Sequence, residues 1–120
     1  MTENELTSLC EKMRECFPKG LKPGTNNPWR DHVSIIKNRL GLLTKHFGYE
    51  LNPEEILKTT KVYVESFNGD YTYMRTLRYF IIKRQIIDGA SEYVSDLLSY
   101  MNMINDGEEI HNANWVGVLK

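Results

Sequence analysis

Histidine, cysteine and paired acids are the usual carriers of metal, nucleophilic and acid–base chemistry. This chain of 120 residues has three histidines and two cysteines. His32 and His46 fall fourteen residues apart in one predicted helix, nearly four turns, so they cannot share an ion within it. His111 stands alone, and no histidine meets a cysteine at zinc-finger spacing. Glu54 and Glu55 are adjacent, and adjacent helical side chains do not face each other. Lys19-Gly-Leu-Lys-Pro-Gly-Thr25 has the composition of a phosphate loop without its glycine–lysine spacing or a preceding strand. No metal, cofactor or catalytic role is therefore expected, and binding is the chemistry left.

The richest candidate for binding is Tyr71 to Arg84, where three tyrosines and a phenylalanine interleave with Arg75, Arg78, Lys83 and Arg84. On a helical wheel, Tyr73, Leu77, Phe80 and Ile87 cluster as a core stripe, with Met74 and Ile81 alongside. Arg75, Arg78 and Ile82 share the opposite face. Arginine and tyrosine side by side suit protein hot spots and also phosphates with stacked bases. A covering helix would equally account for a helix that is apolar on most sides. Two further segments could join such a surface. Trp29 and Arg30 close a loop with three prolines; they either dock that loop on the core, the commoner fate of tryptophan, or stand exposed with Lys22. The C-terminal cluster with Trp115, Val118 and Leu119 follows an acidic, asparagine-rich spacer and suits a groove, its own or a partner's.

Five amphipathic helices must position these residues. The first spans about Glu3 to Phe17, with Leu6, Leu9, Cys10, Met13 and Phe17 on one stripe and Pro18 as its stop. The second spans about Asp31 to Phe47, with Val33, Ile36, Leu40, Leu43 and Phe47 in step, and Gly48 ends it. The third is capped by Asn52, opens on Pro53 and has Glu55 placed for a capping box. The fourth runs from about Tyr71 to Ile87, between the breaks Asn68-Gly69 and Asp88-Gly89. The fifth is capped by Ser91 and carries Val94, Leu97, Leu98, Met101 and Ile104. No strand pair is expected. The fold class is all-α: one compact domain over 1–105, a long loop after the first helix, and a tail over 106–120.

Composition agrees with a globular protein, 41% hydrophobic and 26% charged. No apolar run reaches the ~20 residues of a membrane span, so no membrane partner is expected. The acidic start, Met1-Thr-Glu-Asn-Glu5, has no apolar stretch of signal-peptide kind. Cys10 and Cys16 are too far apart along a helix for a disulfide, which suits a reducing compartment. The net charge of −1 conceals a basic middle of +6 over 19–84 and an acidic −5 over 85–120. Such asymmetry suits a binding face, internal pairing or merely solvated surfaces.

Lys22-Pro-Gly-Thr25, Trp29-Arg30, Tyr63-Val-Glu-Ser-Phe67 and Tyr71-Thr-Tyr-Met-Arg-Thr-Leu-Arg-Tyr-Phe-Ile81 with Lys83 resemble small helical proteins of tailed phages infecting Bacteroides-type bacteria. The similarity spans about residues 17 to 84 and carries no catalytic residue across. It implies a phage protein of the host cytoplasm or the virion. The leading expectation is a non-catalytic adaptor that binds another protein through Arg75, Arg78, Ile82, Trp29, Arg30 and the tail. An alternative is a nucleic-acid-binding accessory using Lys37, Arg39, Lys45, Arg75 and Arg78. A third is a small head–tail component of the virion held as a homo-oligomer by symmetric contacts.

Overall fold

The computed structural model describes residues 1–107. Helix α1 (Glu3–Cys16) starts from a capping box. The Thr2 hydroxyl accepts from the Glu5 N–H, and the Glu5 carboxylate accepts from the Thr2 N–H, each at 3.1 Å. Its predicted stripe buries Leu9, Cys10 and Met13. Helix α2 (Val33–Phe47) begins two residues later than expected. His32 caps it, because Asp31 turns inward to another helix. Gly48 closes it at φ 67°, the left-handed C-cap that glycine adopts without a Cβ clash. Helix α3 (Pro53–Glu65) has the expected Asn52 cap, which accepts from the Glu55 N–H at 3.2 Å. The Glu55 carboxylate accepts instead from the Tyr49 hydroxyl at 2.8 Å.

The second half departs from the all-α expectation. Of the predicted fourth helix only α4 (Leu77–Ile81) is helical, and strands β1 (Lys83–Ile87) and β2 (Ala90–Val94) follow as an antiparallel hairpin. Helix α5 (Asp96–Asn105) is capped by Ser95 rather than Ser91. Asp88-Gly89 is the reason. Both residues have positive φ, 51° and 79°, as a two-residue type I′ turn requires. The turn pairs Ile87 with Ala90 and sets the register back to Lys83 with Val94. The β-branched Ile82, Ile86 and Ile87 around Lys83 favour an extended backbone over further helical turns. The protein is mostly helical, with one small sheet among the described residues.

The helices close a ring in the order α1, α2, α4, α5, α3, each packed on its neighbours. Aromatic rings fill the centre. Tyr63 stacks on Phe80 at 4.2 Å between centroids and meets Tyr100 and Phe67 edge-on at 4.9 and 5.1 Å. Phe17 closes on Phe80 at 5.9 Å. The Tyr63 hydroxyl accepts from the Arg75 N–H at 2.9 Å, so its polar tip is satisfied inside the core. Burial holds its phenol well above the ordinary tyrosine range.

Candidate docking surface

The predicted arginine patch is built into the fold. Asp31 is 1% exposed, and its Oδ1 accepts from Arg78 Nε and Nη2 at 2.9 and 2.8 Å. Its Oδ2 accepts from the Arg78 backbone N–H at 2.9 Å. The Trp29 carbonyl takes the Leu77 N–H at 3.1 Å. The loop therefore caps α4 from outside, satisfying the first amides of a five-residue helix that is too short to persist alone. Thr76, the residue at the cap position, makes no such bond, and its buried hydroxyl has no hydrogen-bond partner among the described residues. Hydrogen bonding to Asp31 raises the Arg78 pKa further.

Trp29 is buried, with its ring edge-on to Tyr71 at 6.1 Å, so the docking alternative for this loop holds. Lys22 Nζ lies 5.9 Å from the Trp29 ring and donates to the Met74 carbonyl at 2.9 Å. Arg30 Nε donates to the Phe17 carbonyl at 2.8 Å, tying the two ends of the loop. Leu21 and Pro28 pair across it, and Lys22 bonds Asn27, so the loop is a closed tongue. Arg75 pairs with Asp96 at 2.8 Å. Ile82 is fully buried, which corrects its predicted outward placement. Tyr73, predicted in the core stripe, is 88% exposed because no helix forms around it. Trp115, Val118 and Leu119 lie outside the described residues.

Other cations collect elsewhere. Lys37 pairs with Glu3, and Lys45 is exposed in the last turn of α2. Arg39 donates from Nη1 to the Ile82 carbonyl at 2.8 Å and places its guanidinium 5.4 Å from the centre of the Tyr79 ring. Lys83 Nζ reaches the same ring at 5.5 Å. Neither cation makes an ion pair among the described residues. The pKa of Lys22 is lowered, first by burial and then by the charges of Arg75 and Lys83. Cations from the loop, α2 and β1 thus converge around α4, though not on the single helical face that the wheel suggested.

The hairpin was not foreseen as a site. Ile86 is 77% exposed, and Ile87, placed in the core by the wheel, is exposed at the tip. Tyr93 of β2 stacks on His46 of α2 at 4.0 Å and ties that strand to the body. Asp-Gly directly after the β-branched Ile86-Ile87 was the signal available for it. A separate open groove of about 610 Å³ between α1 and α3 is lined by Cys16, Leu57 and Val64, with Lys12, Lys61, Glu15 and Glu65 at the rim. Its two signs cancel, so it has no charge preference. Among the described residues, no cluster of three or more His, Cys, Asp or Glu could hold a metal, and no helix is long and apolar enough to cross a membrane. No family model, curated protein or solved structure matches this chain.

Proposed function

We propose that this chain is a non-catalytic adaptor of phage type, acting in the host cytoplasm or the virion, that contacts a protein partner through its β1–β2 hairpin. The observation that carries this reading is the exposure of Ile86 and Ile87 on a two-stranded hairpin whose outer edges are unpaired among the described residues. An isolated hairpin is marginal in water, and an open apolar edge is a template for another strand. The arginine patch is a poorer candidate, since Arg75 and Arg78 already have internal carboxylates and Ile82 is buried. The test is recovery of a partner by the full chain against Ile86→Lys/Ile87→Lys. The double variant should keep the wild-type melting profile and lose the partner. Equal recovery by both proteins sinks the hairpin reading.

One observation favours a second reading, a nucleic-acid-binding accessory. Arg39 and Lys83 flank Tyr79 without an ion-pair partner among the described residues, and the charge of Lys83 also reaches Lys22. Anisotropy of a labelled single-stranded oligonucleotide should then fall steeply with salt and weaken in Lys83→Gln. Absence of binding at low salt ends that reading.

A further inference from the structure

The hairpin has two outer edges, and the register separates them. Ile87 and Ala90 flank a two-residue turn, so they exchange hydrogen bonds, as do Gln85 with Glu92 and Lys83 with Val94. The backbone groups of Arg84 and Ile86 then point outward from β1, and those of Ser91 and Tyr93 outward from β2. None of these four residues has another backbone partner among the described residues.

The two edges differ in what a two-fold copy would meet. An antiparallel pairing that uses both outward residues of β1 matches Arg84 with Ile86 of the second copy, twice, and places Gln85 opposite itself. Four backbone hydrogen bonds form, and two neutral amides that can bond each other face across the axis. Each Arg84, whose Nε is bonded to Ser91 Oγ of its own hairpin, stands directly opposite the second copy's Ile86, with the second copy's Asp88 on one diagonal and its Arg84 on the other, so the arginine stem covers apolar surface and the diagonal charges offset. The same operation on β2 places Glu92 opposite Glu92, like charges on directly facing positions. Tyr93 is moreover already engaged with His46. Pairing β1 with β2 of another copy would not close and would build filaments.

We propose that two copies of this chain pair through β1, in antiparallel register about Gln85, to form a four-stranded sheet ordered β2-β1-β1-β2. This rests on reading the hairpin as the docking element and names a second copy as its occupant on the β1 edge. The helical bodies lie at opposite ends of the paired strands, because each hairpin is rooted in its own α4 and α5. The two β2 edges become the outer edges of the sheet. A single strand pairing buries less than the ~1,200 Å² of a standard stable interface, so the dimer is reversible and concentration-dependent.

The test uses the full chain in a Cys16→Ser background. Directly opposed residues of a non-hydrogen-bonded pair have Cα atoms about 4.5 Å apart, within disulfide reach. In a glutathione redox buffer, Gln85→Cys should form a disulfide-linked dimer, and Glu92→Cys should not. Sedimentation of the unmodified chain should move from 14.0 kDa towards twice that mass as concentration rises. Ile86→Pro should hold it at the monomer mass, since the N–H it deletes points out of the hairpin and serves no internal bond. A monomer at every concentration, with Gln85→Cys cross-linking no better than Glu92→Cys, overturns the proposal. Preferential cross-linking at Glu92 overturns it as well. If dimerisation fails while Ile86→Lys/Ile87→Lys still loses a captured partner, only the second copy is excluded. If both fail, the hairpin reading falls with it.

Discussion

Replacing Asp31 by alanine should destabilise the fold more than any single change at a charged residue outside its pair with Arg78. The carboxylate is 1% exposed and accepts three hydrogen bonds, two from the Arg78 guanidinium and one from the Arg78 N–H that opens α4. Losing the backbone bond removes a helix cap, costing about 1 to 2 kcal/mol. Stranding a fully buried charge costs about 3 to 5 kcal/mol, but the Arg78 side chain is 32% exposed and water partly replaces its partner. An additional ~1 to 2 kcal/mol is therefore the appropriate share. The total is about 2 to 4 kcal/mol, or a melting temperature lower by roughly 8 to 16 °C for a domain of this size. Arg78→Met should cost at least as much, because it leaves a carboxylate with far less access to water than the guanidinium has. Urea unfolding of both single variants and the double variant, followed by circular dichroism, gives the coupling. A loss under about 1 kcal/mol in Asp31→Ala, or a coupling indistinguishable from zero, refutes the clamp.

Thr76→Val should be neutral or stabilising, by up to about 2 kcal/mol. It removes a buried hydroxyl that has no partner among the described residues and keeps the branched shape. Destabilisation above ~1 kcal/mol in thermal melts would mean that the hydroxyl is satisfied. Cys10 is buried and its thiol is pushed up to about 11, chiefly by desolvation. The folded state therefore keeps its proton where the unfolded chain releases it near pH 9. That stabilisation, about 2 to 3 kcal/mol, is complete below pH 9 and is lost as pH rises towards 11. The stability difference between wild type and Cys10→Ala should narrow or reverse over that window in chemical denaturation, and a constant difference would contradict it.

Helices α1, α2 and α3 were legible because their evidence is local. Leu9, Cys10 and Met13, or Ile36, Leu40 and Leu43, repeat at helical steps, and Gly48, Asn52 and Pro53 punctuate them. The region after Tyr71 failed because a wheel assumes a continuous helix. Leu77, Phe80 and Ile81 satisfy that period, but Asp88-Gly89 carries a hairpin signal, which won. The fate of Arg78 had no local signature, since its partner lies 47 residues upstream. Interleaved aromatic and basic residues predicted a single helical face, which the fold does not build. Tyr79 does gather cations, but they arrive from α2 and from the strand after α4.

The loop that caps α4 also bears on the order of folding. A five-residue helix held by Trp29 and Asp31 cannot mature until a segment nearly fifty residues earlier has docked, so the two form one cooperative unit. Amide exchange at Leu77 and Arg78 should report the opening of the 18–31 tongue rather than fraying of their own helix. A protease cut near Gly24 would loosen α4, and with it the root of the hairpin, without touching either sequence.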